Sequence, residues 1–549
     1  MLHTKARRDR GSLGNYSEPA RNDLAYALTE GGCRRVHAAP PITRRPDRML
    51  GADKAPGHWI RVAPRVIGNR PSRGDGRGVG KFNGHCLLKS SHMRIIDIPR
   101  TEIVTSYRIA LACLTPTSDG DEHASLTLPS YGIRRVQAAV VGDMERPNHV
   151  VRLIDLGRED VAVYVEQILA FEPDLLGISI YVWSADCLVA VAREVKRRRP
   201  SCMIVFGGPS ARSALFDLPY YRTPSAYLDA LVEGDGEIVF RDIARLAELT
   251  RSGLETIRGV TLPDGQGWRR SARLIDEGEL DLLTSPFQLE LMPVDSVAYL
   301  ETFRGCPLSC RFCEWGAHDR TKGLFSVDTI RREMLAFGRA RASTVFLLDA
   351  GLNLNMRAFR NLRQAASETG ALKNVPFWAE IYPSAIREEH LEFLSEIGPA
   401  YLGVGLQSMD PEVLRLHQRP TDSPRFESAV RRLAAVTNIE LQIIFGLPGD
   451  TPDGFRRTLD YALSLPASVR AYHCLVLPDA LMTRGLAEWN MVFDPRTLAM
   501  TSCLGWSAQA IRAMRAELTQ KVRLAGGKAG TFWWSFPSQQ RPTTVGFPA

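Results

Sequence analysis

The sequence predicts an α/β protein: a doubly wound parallel sheet followed by a partial (βα)6 barrel. Two observations carry this. From residue 107 to about 480, short apolar strands alternate with amphipathic helices, the pattern of parallel βα units. The alternation occurs in two series, separated near residues 250–295 by a stretch with the turn signal Pro263-Asp264-Gly265.

In the first series, Arg108–Leu114 (RIALACL), His149–Leu156 (HVVRLIDL), Asp174–Tyr181 (DLLGISIY) and Met203–Gly207 (MIVFG) read as strands. Ala230–Glu233 reads as a shorter one. Tyr131–Val141, Val161–Phe171, Ala185–Arg199 and Glu237–Leu249 read as the helices between and after them. A ligand of such a sheet belongs beyond the carboxyl ends of its strands. The second series places strands at Ala298–Phe303, Thr344–Asp349, Pro376–Ile381, Tyr401–Leu406, Leu441–Phe445 and Ala471–Leu477. Six such units form part of a barrel whose chemistry lies at the strand C-termini. Residues 485–525 read as an amphipathic helical extension, followed by an aromatic stretch with Phe532, Trp533, Trp534 and Phe536. The expected organisation is a tail (1–92), a first α/β domain (93–250), a linker (251–294), a barrel core (295–480) and a C-terminal extension (481–549).

Charge divides the chain differently. Its 549 residues hold 69 Lys+Arg and 61 Asp+Glu, a formal net charge of +8. Residues 1–92 hold 18 basic and 7 acidic residues, leaving 51 and 54 for the rest. The basic excess belongs to an Arg-, Gly- and Pro-rich segment without periodicity, which is expected to be disordered. It argues little for nucleic-acid binding by the remainder. No apolar run is long enough to span a membrane, and the first 30 residues lack the apolar core of a secretory signal. A cytoplasmic protein is expected.

Of ten cysteines, Cys306, Cys310 and Cys313 form one tight group in ETFRGCPLSCRFCEWG (Glu301–Gly316). They follow a strand and precede a helix. Three thiolates on one loop can hold three irons of a [4Fe–4S] cluster and leave the fourth open to a ligand. The alternative is a zinc site completed by His318.

The motif CX3CXFC resembles that of the radical S-adenosylmethionine (SAM) superfamily. Gly403–Ser408 (GVGLQS), His417–Pro420 (HQRP) and Ile443–Thr451 (IIFGLPGDT) resemble its later strands, so the likeness spans roughly residues 295–480. The resemblance implies that Cys306, Cys310 and Cys313 bind the cluster and that SAM chelates its open iron. It places Asp349 and Gly351 at the SAM amino group, although Asp349-Ala350-Gly351 stands where Gly-Gly-Glu is usual. Glu380 becomes a polar SAM contact, and Gln407 and Arg419 a pair holding its polar groups. Gln442 lies near the adenosine. Arginine suits the methionyl carboxylate, since its fork binds bidentately.

Residues 107–250 resemble the cobalamin-binding domain that precedes many radical SAM cores. The matching segments are Pro173–Tyr181, Ile204–Ser210 (IVFGGPS) and Glu233–Glu237 (EGDGE). The resemblance implies corrin contacts from Ser179, Tyr181, Gly207, Gly208, Glu233 and Gly234. Asp121-Glu122-His123 matches the start of a cobalt-ligating motif, but Leu126 replaces its glycine. A cobalamin without a protein histidine is therefore expected.

Together the two resemblances imply an enzyme with three cofactors: a [4Fe–4S] cluster, SAM and cobalamin. It would methylate an unactivated carbon or phosphorus of a small-molecule or peptide substrate. The electron would come from a reducing partner such as flavodoxin or ferredoxin. A cobalamin-dependent rearrangement or cyclisation without methyl transfer is the alternative, and a cobalamin or redox sensor is the non-enzymatic one.

Overall fold

Seven strands build the first sheet. Five are parallel: β1 (Arg108–Cys113), β2 (Val150–Asp155), β3 (Leu175–Ser179), β4 (Met203–Gly207) and β5 (Ala230–Val232). Helices α1 (Tyr131–Val141), α2 (Val161–Phe171), α3 (Ala185–Arg198), α4 (Ser213–Phe216) and α5 (Gly236–Ala244) follow the strands, and α6 (Arg251–Thr256) leads out. β6 (Val260–Asp264) and β7 (Gly267–Arg270) complete the sheet as an antiparallel hairpin around the Pro263-Asp264-Gly265 turn. The order β2-β1-β3-β4-β5-β6-β7 begins with the flavodoxin-like 2-1-3-4-5, whose switch point lies between β1 and β3. α1 and α5 supply Ile133, Val140, Val239 and Phe240 to one face. α2 and α3 supply Tyr164, Ile168, Leu188 and Val191 to the other. Coverage on both faces explains why β1, β3 and β4 read as continuous apolar runs. The structure is a computed structural model that describes residues 106–115, 128–265, 267–272, 280–316, 323–420 and 422–538. The basic segment 1–92, the motif with Asp121 and His123, and His318 lie outside the described residues.

The second sheet starts at β8 (Val297–Leu300). A small ribbon, β9 (Phe303–Arg304) against β10 (Gly323–Leu324), brackets the cysteine loop. α7 (Val327–Arg339), β11 (Thr344–Leu347), α8 (Met356–Thr369), β12 (Phe377–Ile381), α9 (Glu388–Glu396) and β13 (Ala400–Gln407) follow. Then come α10 (Pro411–Leu416), α11 (Ser423–Ala434), β14 (Asn438–Phe445), α12 (Pro452–Leu463) and β15 (Ser468–His473). β8, β11, β12, β13, β14 and β15 are parallel and adjacent in chain order, the six expected strands with shifted ends. Side-chain caps start several helices: Ser326 accepts from the Thr329 amide, and Thr451 from that of Gly454. On β14, Ile439, Leu441, Ile443 and Phe445 are buried in the core, while Glu440 and Gln442 on the opposite face are half-buried. This period of two sets a dry outer layer under the helices and a polar inner face.

The C-terminal extension differs from the expected helix. Among its described residues, only α13 (Ala508–Leu524) is a long helix. β16 (Val492–Phe493) and β17 (Met500–Ser502) form a small hairpin, and Trp489 and Trp506 are fully buried in the turns around it. Pro495, between the two strands, is incompatible with a continuous helix there. The aromatic stretch becomes β19 (Trp533–Phe536), which pairs antiparallel with β15 and with β18 (Lys528–Ala529).

Candidate active site

The cysteine loop leaves β9 through Gly305, whose φ of +94° suits a residue without Cβ. Cys306 and Cys310 are buried and Cys313 half-buried, and none of the eight described cysteines forms a disulfide. Burial pushes the Cys306 thiol up and the Cys313 thiol up to about 11. Cluster assembly there would therefore release protons. Among the described residues, no three Cys, His, Asp or Glu side chains are placed to hold a single metal ion. A cluster does not require that, because each thiolate bonds its own iron. The donor set fits it.

The HQRP segment packs on this loop. The Arg311 amide donates to the His417 carbonyl at 2.9 Å, and the Phe312 and His417 rings lie 5.9 Å apart. His417 is fully buried, with Nε2 2.9 Å from the Pro448 carbonyl, and burial lowers its pKa to about 4. From the other side, Arg484 donates to the Ser309 carbonyl at 3.4 Å and to that of Cys313.

Gly403 and Gly405 clear the inner face of β13. A Cβ at Gly405 would meet Gln407 Nε2 at 2.5 Å and Arg419 Nη2 at 3.0 Å, and one at Gly403 would strike the Glu380 carboxylate. Arg419 donates to the Gly405 carbonyl at 2.9 Å and stacks over Tyr382 at 4.8 Å. Its charge is felt at both Cys306 and Glu380. Gln442 donates to Glu380 at 3.0 Å. Glu380 is accessible to water yet crowded in a recess, and this desolvation raises its pKa against the pull of Gln442, Arg419 and Arg470. Gln407 sits at a register shift with φ +61°, a left-handed conformation uncommon for a side chain of this kind. The fold thus gathers Glu380, Gln407, Arg419 and Gln442, and of these Arg419 is near enough to Cys306 for its charge to be felt there. Gly351 adjoins them: a Cβ there would come 3.8 Å from the Glu380 carbonyl.

Asp349 faces elsewhere. Its carboxylate accepts from the Thr302 amide at 2.8 Å, the Phe303 amide at 3.4 Å and the Thr302 hydroxyl. It fixes the strand end that leads into the cysteine loop. Burial raises its pKa to about 7, far above the usual aspartate value of about 3.9. The unfolded chain ionises first, so this group's contribution to stability falls between about pH 4 and 7 and levels off above. The full change is on the order of 4 kcal/mol. Asp349→Asn is expected to flatten that slope, measured as urea midpoints from pH 4 to 8; an unchanged slope would exclude Asp349 as its source.

At the carboxyl edge of the first sheet, a Cβ at Gly207 or at Gly234 would meet nothing within 4 Å. These residues end adjacent strands, so the edge offers bare backbone to a large ligand. Gly208, at φ +96°, lies tight on Ile180 and on the Ser179 hydroxyl. Ser179 is buried. Tyr181 stacks on Trp183 at 4.4 Å. Glu233 is engaged by the fold: it accepts from the Ser213 amide at 2.7 Å, the Thr261 hydroxyl at 2.8 Å and Arg270 at 3.2 Å. Sequence reasoning missed Arg212, Asp479 and Arg484, which link this edge to the cysteine loop; no local motif marks them.

Residues 300–462 match the family described as the Radical SAM superfamily. The likeness to this superfamily covers less than a third of the chain. It is 29% identical over 381 residues to 2-(S-pantetheinyl)-carbapenam-3-carboxylate methyltransferase of Streptantibioticus cattleyicolor, covering 64% of this chain and 53% of that protein. It is 28% identical to the cobalamin-dependent radical SAM methyltransferase TokK of Streptomyces tokunonensis, covering 56% and 48%. The match thus spans about half the length of each of these curated relatives. In fold, the chain resembles the methyltransferase TsrM of Kitasatospora setae, solved with tryptophan substrate and a SAM analogue. The TM-score is 0.54 at 19% identity, over 70% of this chain and 76% of that one.

Proposed function

We propose that this protein is a cobalamin-dependent radical SAM methyltransferase acting on an unactivated carbon of a small molecule or peptide. Phosphorus is the other atom that this chemistry would reach. The observation that carries the reading is the convergence of Arg419, Gln407 and Glu380 over the glycine-cleared face of β13, with the Arg419 charge felt at Cys306. A flavodoxin-like sheet with an open glycine edge precedes it, and the curated relatives are methyltransferases. When bound, the cluster supplies one electron to the SAM sulfonium and the corrin carries the methyl group.

The chain's own residues bind and aim. Cys306, Cys310 and Cys313 hold the cluster on one loop. Arg419 offers its fork to the methionyl carboxylate, and its stack on Tyr382 limits how far it can swing. Gln407 and Glu380 offer polar atoms beside it, Gln442 orients Glu380, and Gly351, whose missing Cβ admits Leu354, offers its backbone to the amino group. Gly207, Gly208 and Gly234 seat the corrin by backbone approach, with Ser179, Tyr181 and Glu233 shaping the loops. Such positioning is what brings a methyl donor and a radical to one substrate atom. No helix among the described residues is long and apolar enough to cross a membrane. The reading places the enzyme in the cytoplasm with a flavodoxin- or ferredoxin-type electron donor.

Anaerobic reconstitution with iron, sulfide and hydroxocobalamin, then SAM and a reductant, tests this. The expected result is a retained corrin spectrum and 5′-deoxyadenosine, with candidate substrates gaining the mass of one CH2. Products without that gain would favour rearrangement, and loss of the corrin on gel filtration would overturn the cobalamin assignment.

A further inference from the structure

The cysteine loop is held at both ends by the two loops that carry the open glycines of the first sheet. After β4, the segment that begins Gly207-Gly208 continues to Arg212. Arg212 donates to the Gly208 carbonyl at 3.1 Å and pairs with Asp479, both side chains largely buried. The Asp479 amide donates to Glu314, the residue after Cys313, at 3.2 Å. The Asp479 carbonyl accepts from Arg484 at 2.9 Å, and Arg484 holds the carbonyls of Ser309 and Cys313. After β5, the segment that begins with Gly234 continues to Glu237. Glu237 accepts from Arg304 at 2.7 Å, two residues before Cys306. Neither tie belongs to the barrel alone.

We propose that Arg212 and Glu237 are positioning residues that form a two-point clamp. Through it, a ligand seated on Gly207 and Gly234 sets the position of the cysteine loop. The coupling element is continuous: glycine edge, guanidinium or carboxylate, then loop backbone. A shift of the β4 or β5 loop under the ligand moves the anchor of one end of the cysteine loop. Bound corrin and cluster geometry are then linked, and the linkage is reciprocal. The ligand half of this rests on the corrin reading above. The clamp itself rests only on the hydrogen bonds and ion pairs of the chain.

Hydrogen–deuterium exchange of the full chain, followed in peptides spanning residues 305–316, tests both halves. It is run anaerobically, with and without hydroxocobalamin, on wild type, Arg212→Met and Glu237→Gln. Without hydroxocobalamin, Arg212→Met is expected to speed exchange in 305–316 about tenfold, the effect of losing one charge-assisted hydrogen-bonded link. With it, the wild-type loop is expected to slow further, and Arg212→Met to lose that slowing while still retaining the corrin absorbance. Equal exchange in wild type and Arg212→Met without hydroxocobalamin overturns the clamp. Slowing that persists in Arg212→Met overturns the coupling. A wild-type chain that retains no hydroxocobalamin overturns the corrin reading, which the cobalamin-free comparison keeps separate from the clamp. Should Glu237→Gln fail to fold, Arg212→Met decides alone.

Discussion

Cys310→Ala is expected to abolish iron–sulfur absorbance and to cut 5′-deoxyadenosine formation by more than about 100-fold. Loss of an outer-shell partner of a metal ligand already costs about 10–100-fold, and here a ligand itself is removed. The fold should survive. Cys310 sits on a loop held by backbone links on both sides, through Arg311 to His417 and through Arg484 to Ser309 and Cys313. Replacing a buried thiol with a methyl removes one sulfur and strands no polar partner. Cys187→Ala, on α3 of the first sheet, is the matched control and should keep both iron and cleavage. Iron content, the visible spectrum and chromatographic assay of the nucleoside decide it. A Cys310→Ala chain that still cleaves SAM would remove the cysteine loop from the chemistry.

The parallel strands were legible because burial on both faces leaves a continuous apolar run, and because Gly, Pro, Asp or Asn punctuates many of the turns. The cysteine loop and the glycines of GVGLQS were legible for a related reason: their chemistry is local in the chain. What escaped was long-range. Asp349 looks like a ligand-facing acid at a strand end, but it is a buried acceptor for Thr302 and Phe303, 47 and 46 positions earlier. The EGDGE motif reads as one feature, yet its two outer acids part company. Glu233 turns to Ser213, Thr261 and Arg270, and Glu237 to Arg304, 67 positions on. Nothing in the spacing of one sequence records such pairings. The extension around Trp489 and Trp506 read as helix, yet it is largely turns and a small hairpin before α13.

The Glu237 site also yields the largest stability change expected of a single substitution. Arg304 is the hub of three acidic partners, Glu237 at 2.7 Å, Glu301 at 2.9 Å and Asp235 at 3.4 Å, and Glu237 also pairs with Arg135 at 3.4 Å. The side chains of Arg304 and Glu237 are 12% and 8% exposed, so water cannot replace a lost partner. Arg304→Met keeps the aliphatic stem and removes the charge. It leaves Glu237 buried against Arg135 alone, and breaking a buried pair in this way costs about 3–5 kcal/mol. Burial alone would lift the Glu237 carboxyl, but Arg304 and Arg135 hold it well below the usual carboxylate range. A depressed acid contributes stability above its unfolded value of about 4.3 and loses it as pH falls toward the folded value. The gap between wild type and Arg304→Met in urea unfolding is therefore widest at pH 7 and narrows below about pH 4. Adding Glu237→Gln to Arg304→Met should recover part of the loss at pH 7, because it removes the stranded charge and leaves a neutral amide. A gap below about 1 kcal/mol at pH 7, or one independent of pH, would mean that the pair contributes no more than an exposed surface bridge.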